Sequence, residues 1–254
     1  MDYKEKINKL ADFIDSSKKI VFFTGADVST ESGIPDFRSS NGIYSKKFKG
    51  LSSSEIVSHD FLFSYPELFY EFYFKYLVYK DAKPNYAHVF FNELVGKKIF
   101  IITQNIDNLH QLGGSKRVLE LHGSVENNYC IYCNKYYSLN EILEFQEKVP
   151  TCKKCNGMIR PDVTLFGEQL NQEVVSNAIE ALEQADMLIV AGTSLEVYPA
   201  AMYVHYYKKD KFVLINKDST KFDKFANIVF NCSVVDVFKD VKAKLQEKDK
   251  YEKN

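Results

Sequence analysis

The chain has 254 residues, enough to bury one full core, and its 33 Lys and Arg against 34 Asp and Glu leave a net charge of -1. That balance offers no electrostatic footprint for nucleic acid, so no direct nucleic-acid binding is expected. No uninterrupted apolar stretch is long enough to span a bilayer, so no membrane association is expected either.

In chain order, residues 1–19 carry Ile7, Leu10, Ala11 and Ile14 at helical spacing with charges between them, the pattern of an amphipathic surface helix. Four near-continuous apolar runs then read as strands: Lys19-Ile20-Val21-Phe22-Phe23-Thr24, Lys98-Ile99-Phe100-Ile101-Ile102-Thr103, Met187-Leu188-Ile189-Val190-Ala191 and Lys211-Phe212-Val213-Leu214-Ile215. Each ends in small or polar residues, as parallel strands covered on both faces do. Helical stretches over 172–185 and 199–208 lie between them, so the repeating unit is βαβ, and ligands of such a sheet bind beyond the carboxyl ends of its strands.

Two segments interrupt the alternation. Residues 41–84 turn aromatic-rich from Phe61 to Tyr79 and read as a helical insert that packs rings together, and residues 128–158 form a second insert. The expected organisation is an α/β protein: a Rossmann-like parallel-sheet domain made of 1–40, 85–127 and 159–254, with 41–84 and 128–158 forming a smaller lobe across a cleft.

The second insert holds Cys130-x2-Cys133 and Cys152-x2-Cys155, with 18 residues between the pairs. Two Cys-x-x-Cys turns can aim four thiolates at one ion and complete a closed tetrahedral shell, so a zinc ribbon with one structural Zn²⁺ is expected, rather than disulfides. A cysteine set suited to zinc, together with no secretion signal, points to the cytoplasm. The fifth cysteine, Cys232, follows the apolar run Ile228-Val229-Phe230 and reads as a small buried residue.

Polar clusters follow the strands. Gly25-Ala26-Asp27-Val28-Ser29-Thr30 leads to Gly33-Ile34-Pro35-Asp36-Phe37-Arg38; Gln104-Asn105-Ile106-Asp107 follows the second strand; Leu121-His122-Gly123-Ser124 leads into the cysteine insert; Gly192-Thr193-Ser194 and Asn216-Lys217-Asp218 end two more strands. Small residues directly after a strand let backbone N–H groups approach a diphosphate. With the blocks Ala82-Lys83-Pro84-Asn85-Tyr86-Ala87-His88 and Arg160-Pro161-Asp162-Val163-Thr164-Leu165-Phe166-Gly167-Glu168, the chain resembles the sirtuins, NAD-dependent protein-lysine deacylases, and among them the bacterial deacetylases. The resemblance covers nearly the whole chain, with every block in the family's order.

The resemblance implies NAD as co-substrate and acetylated proteins as partners, with the peptide pairing by its backbone between the lobes. Acyl groups would leave lysine for ADP-ribose, releasing nicotinamide. Asp107 and the Ile106 backbone would bind the carboxamide, Gln104 and Asn105 would organise the ribose and a water, and His122 would be the general base on a ribose hydroxyl. Ala26, Thr30, Phe37, Arg38, Gly192, Thr193, Ser194, Asn216, Lys217 and Val234 complete the implied NAD set. Val163, Phe166, Gly167 and Glu168 would meet the peptide. His59, His88, His110 and His205 read as structural. ADP-ribosyl transfer or NAD hydrolysis could use the same cleft.

Two departures bear on activity. Sirtuins usually carry glycine where this chain has Asp27, and a carboxylate ~5 Å from a phosphate would cost on the order of 3 kcal/mol at an effective dielectric of about 20. A weakly active or non-catalytic NAD- or peptide-binding module is the alternative that this residue keeps open. Family members that prefer succinyl or malonyl groups carry Tyr-x-x-Arg before the Pro-Asn block. Here Tyr70 and Tyr73 have no arginine between Phe61 and Asn85. Uncharged acyl groups, acetyl first, are therefore expected.

Overall fold

The computed structural model describes residues 1–37, 42–45, 47–146 and 148–252. Its strands are β1 (Lys19–Thr24), β2 (Lys47–Phe48), β3 (Leu51–Ser52), β4 (Lys98–Thr103), β5 (Val118–Glu120), β6 (Gly123–Cys130), β7 (Tyr136–Ser138), β8 (Ile159–Val163), β9 (Met187–Ala191), β10 (Phe212–Ile215) and β11 (Ile228–Phe230). Six of them form one sheet in the order β11-β10-β9-β1-β4-β5, and every pairing in it is parallel.

The apolar runs are continuous because both faces of this sheet are covered. Alternate residues point to opposite faces. Ile20 and Phe22 of β1, Met187 and Ile189 of β9 and Val213 and Ile215 of β10 enter one core with the helices Tyr3–Asp15 and Val234–Glu252. Val21, Phe23, Leu188, Val190, Phe212 and Leu214 enter the other, against the helix Gln172–Gln184. Fully burying each such side chain stabilises by about 1.5–3 kcal/mol. Helices on both faces of a parallel sheet are the Rossmann-like architecture.

The amphipathic N-terminal helix forms as expected, buried through Ile7, Leu10, Ala11 and Ile14. Its start is set by a capping box, in which Asp2 Oδ1 accepts from the Glu5 N–H at 2.8 Å and Glu5 Oε2 accepts from the Asp2 N–H at 2.8 Å.

A third core gathers the aromatic segment: Phe61, Phe69, Tyr70, Phe72 and Tyr73 are buried with Val125, Val163 and Leu165. Its helices are short, His59–Ser64 and Pro66–Tyr76, because Pro66 opens the second at its first position and the preceding turn cannot continue through it. The cysteine-bearing strand β6 pairs antiparallel with β7 and β8 in a separate three-stranded sheet.

Some boundaries differ from the sequence pattern. The run over 160–168 is strand only to Val163. Beyond it the chain bends through Gly167, whose φ is +90°, and touches the Val57–His59 backbone through an isolated bridge, Ser58 to Phe166. The stretch 199–208 is a short helix, Ala200–Tyr203, followed by a single tight turn, Val204–Tyr206. The short strands β5 and β7 carry too few residues for periodicity to reveal.

Gly123 joins the two sheets. Its φ of +73° lies in the left-handed region, and a Cβ there would fall 1.9 Å from the Asp162 carbonyl oxygen. Gly123→Ala should therefore lower stability by about 2–4 kcal/mol, as strain and overpacking add. Thermal or denaturant unfolding of both proteins measures it.

Candidate active site and metal centre

The parallel register brings five strand ends to one level. Thr24 is paired with Thr103 and Ala191, Ala191 with Ile215, and Thr103 with Glu120. The residues that follow, Gly25, Gln104, Gly192, Asn216 and, two beyond Glu120, His122, line one cavity of about 530 Å³. Gly192 permits the crowding there: its φ is +62°, and a Cβ would meet the Val28 nitrogen at 2.6 Å.

Of the implied NAD residues, Ala26, Phe37, Gln104, Asn105, Ile106, His122, Gly192, Thr193, Ser194 and Asn216 line this cavity. Thr30, Lys217 and Val234 line a small adjoining one that shares Asp27, Gly192 and Asn216 with it. Cys232 also borders the small cavity and is half-buried rather than buried. Arg38 lies outside the described residues. Asn216 Nδ2 donates to the Asp218 carbonyl at 2.8 Å, while the buried Oδ1 has no partner. An acceptor left open between the two cavities suits a ligand hydroxyl.

His122 is half-buried, and its Nδ1 lies 2.9 Å from the Gln104 carbonyl oxygen. A carbonyl can only accept, so Nδ1 carries the proton of the neutral ring and Nε2 keeps its lone pair. Burial lowers the pKa, against a smaller opposing effect of that carbonyl bond. Burial thus favours the neutral imidazole, the form that can act as a base.

Asn105 is held from behind. Its Nδ2 donates to Ser29 Oγ at 3.1 Å, and Ser29 donates to Asp107 Oδ2 at 2.6 Å. His88 Nδ1 accepts the Asn85 N–H, so its Nε2, 3.3 Å from Ser29 Oγ, is the protonated nitrogen and a second donor to that hydroxyl. Asp107 Oδ1 takes the Leu109 N–H at 2.9 Å. Asp107 is accordingly engaged by Ser29 and Leu109 and is not among the cavity's lining residues. Ser29 was not singled out from sequence, although it stands in the polar stretch after β1. Burial pushes the His88 pKa down to about 4 and that of His110 well below its usual value, so both are neutral and structural.

The wall across from the strand ends is built from Val163, Thr164, Leu165, Phe166, Gly167 and Glu168, with 196–199 nearby. Phe166 is 45% exposed. Glu168 directs its carboxylate inward to Arg160, Oε1 to Nη1 at 2.5 Å and Oε2 to Nη2 at 2.9 Å. The aromatic helix contributes less than its composition suggests. Tyr70 donates to the Ile159 carbonyl, Tyr73 is fully buried, and neither lines the cavity, whose apolar surfaces include Val57, Leu77, Ile106, Val163 and Leu165. No arginine lines the cavity among the described residues.

The four insert cysteines bring their sulfur atoms within 4.8 Å of one another, with Cys130 to Cys155 at 3.4 Å and Cys133 to Cys152 at 3.6 Å. Tetrahedral Zn–S bonds of about 2.3 Å place sulfurs roughly 3.8 Å apart, so the set fits one zinc ion with every position filled by protein. Tyr137 donates its hydroxyl to Cys152 Sγ at 3.2 Å and the Lys154 N–H reaches it at 3.3 Å, both favouring the thiolate.

A model of the Sir2 family matches residues 25–199. The chain belongs to the Sir2 family. It is 52% identical to a protein of Clostridium tetani (strain Massachusetts / E88) named NAD-dependent protein deacetylase, over 92% of this chain and 95% of the relative. A protein of the same name from Clostridium perfringens (strain 13 / Type A) is 51% identical over 91% of this chain and 96% of its own length. Among solved structures, a Sir2 variant with deacetylated p53 peptide and 3'-O-acetyl-ADP-ribose superposes with a TM-score of 0.84 at 40% identity, covering 96% of this chain and 98% of the other. Sir2 with p53 peptide and NAD+ superposes at 0.81, also at 40% identity, with the same coverage. No helix among the described residues of this sirtuin is long and apolar enough to cross a membrane.

Asp27, the family departure, borders both cavities, and its N–H donates to the Gly192 carbonyl at 3.1 Å, which fixes its backbone against β9. Burial, then Asp36, then Asp218 raise its pKa to about 6, with Lys217 opposing them.

Two outcomes follow from this geometry. Metal analysis of purified protein should return about one zinc per chain, and Cys152→Ser should reduce it together with thermal stability, because a structural zinc shell contributes folding energy. For Asp27 the folded pKa lies above that of the unfolded chain, so its contribution is present at low pH and lost as pH rises through about 6. Asp27→Asn should raise the melting temperature and tighten NAD at pH 8, with both gains fading toward pH 5 and the NAD gain shrinking in high salt. Calorimetry at the two pH values measures both.

Proposed function

We propose that this sirtuin removes acetyl groups from protein lysines using NAD, yielding free lysine, nicotinamide and O-acetyl-ADP-ribose. The observation that carries the proposal is His122: a neutral imidazole whose proton is held on Nδ1 by Gln104, leaving Nε2 basic in a cavity it shares with Gln104, Asn105 and Ile106. The relatives named as deacetylases and the Sir2 structures with peptide, NAD+ and an acetylated ADP-ribose support the same chemistry.

In this reading NAD lies along the strand ends. Ala26, Thr30, Phe37, Arg38, Gly192, Thr193, Ser194, Asn216, Lys217 and Val234 take its adenosine and diphosphate, while Gln104, Asn105 and the Ile106 backbone meet the nicotinamide ribose. Asp107, turned inward to Ser29 and Leu109, backs the carboxamide side behind Ile106 and, through Ser29, steadies Asn105. The acetyl oxygen attacks the ribose carbon as nicotinamide leaves. His122 Nε2 then draws the proton from a ribose hydroxyl, and that oxygen takes over the acetyl carbon. Water completes the balance by releasing the lysine amine.

The peptide lies along Val163, Phe166 and Gly167, pairing through backbone groups, so side-chain selectivity is weak. Residues 1–40, 85–127 and 159–254 serve as the NAD domain, and 41–84 with 128–158 as the smaller lobe that closes the cleft. A thiolate-rich metal site suits a reducing compartment, so the cytoplasm is the proposed location.

Incubation with NAD and an acetyl-lysine peptide should give O-acetyl-ADP-ribose by mass spectrometry, and His122→Ala should abolish it while NAD affinity stays within roughly tenfold. A succinyl-lysine peptide should react far more slowly, since among the described residues no arginine lines the cavity and none stands between Phe61 and Asn85 to receive its carboxylate. Nicotinamide release without acetylated product would instead point to NAD hydrolysis if free ADP-ribose accumulates, or to ADP-ribosyl transfer if the ADP-ribose is found on protein.

A further inference from the structure

Beyond β8 the chain leaves the sheet and forms the cleft wall without regular strand pairing, so something other than a ladder must hold its shape. Arg160, 8% exposed, folds back beneath this segment. Its Nε donates to the Pro161 carbonyl at 3.2 Å, and its Nη2 donates to the Val163 carbonyl at 3.0 Å and to Glu168 Oε2. Nη1 meets Glu168 Oε1, and Glu168 Oε2 also accepts the Leu165 N–H at 2.8 Å. The guanidinium sits 5.8 Å from the centre of the Tyr129 ring. One fork thus closes on both ends of the 163–168 segment.

The segment's other ties run toward the active site. The Thr164 N–H donates to the His122 carbonyl at 2.9 Å, the Phe166 N–H to Val57 at 3.0 Å, and the His59 N–H to Phe166 at 2.9 Å. A buried ion pair gains little net stability over apolar side chains of similar volume, but its fixed directions can specify one arrangement. Here the arrangement specified is the wall opposite the strand ends.

We propose that Arg160 is a positioning residue for the acetyl-lysine peptide: through Glu168 and the Val163 carbonyl it holds the 163–168 backbone in the shape the peptide meets, without touching the peptide itself. The proposal rests on the deacetylase reading above. Both oxygens of Glu168 are spent on this clamp, so Glu168 shares the role rather than binding peptide through its carboxylate.

Steady-state kinetics of the zinc-loaded full chain, varying peptide and NAD separately, tests it. Arg160→Gln should raise the peptide KM roughly tenfold while the NAD KM and kcat stay within about threefold, since the clamp touches neither the NAD residues nor the reacting atoms. Arg160→Lys, a cation without the fork, should fall between. The double variant Arg160→Gln, Glu168→Gln carries no lone buried charge and should recover melting temperature while its peptide KM stays raised; it also serves if the single variant fails to fold. Peptide KM recovering along with melting temperature, or peptide and NAD KM rising together, would assign the pair a stability role only and overturn the proposal. No acetylated product from the parent protein would instead overturn the deacetylase reading, and this proposal with it.

Discussion

The site depends on one constraint, the parallel register that ends β1, β4, β5, β9 and β10 at a common level. Parallel pairing spaces its hydrogen bonds evenly, so the residues leaving neighbouring strands emerge side by side. Gly25, Gln104, Gly192, Asn216 and His122 come from positions almost 200 residues apart in sequence, and the register alone places them in one cavity. The large apolar cores on both faces hold that register, because a slip of one residue would turn every side chain of a strand to the wrong face.

Just beneath the cavity floor lies a thin polar layer inside an otherwise apolar molecule. Thr24 donates to Thr103 Oγ1 at 2.8 Å, Thr103 accepts the Asn105 N–H at 3.0 Å, and His110 Nε2 lies 3.1 Å from Thr24 Oγ1. The Ser29, His88 and Asp107 cluster completes it on the other side of Asn105. Such a network is rigid where its members are paired, as around Thr103 and Ser29, and costly where one is not, as at the buried His110 Nδ1, which has no partner among the described residues. Its two histidines are buried as neutral rings with lowered pKa values, so the stability they contribute is present at neutral pH and lost on acidification, as the unfolded chain takes up protons first. Asn105 is therefore presented to the cleft by a cluster whose histidine, His88, stays neutral at neutral pH.

The small lobe solves a different problem. Strands β6, β7 and β8 carry too little apolar surface to form an independent core, and Cys130 and Cys152 with Tyr137, Ile142 and Ile159 make up only a small cluster, with Cys133 at its edge and Cys155 exposed. A metal shell supplies the cross-link that burial does not. The lobe in turn supports β8, from which the Arg160 clamp and the cleft wall extend.

Local pattern determined much of this protein. Strand positions followed from apolar runs, the helix at 3–15 from its period, the four-cysteine cluster from two Cys-x-x-Cys turns, and the Sir2 resemblance from blocks in a fixed order. Those features are written in neighbouring residues, so a single chain displays them. Tertiary structure alone decided which groups face the cavity: that Asp107 turns to Ser29, that Glu168 turns to Arg160, that Tyr70 and Tyr73 enter a core, and that Leu77 and 196–199 form walls. Whether a side chain points to a ligand or to a neighbour depends on contacts between segments far apart in sequence, and no period or spacing along the chain encodes that choice.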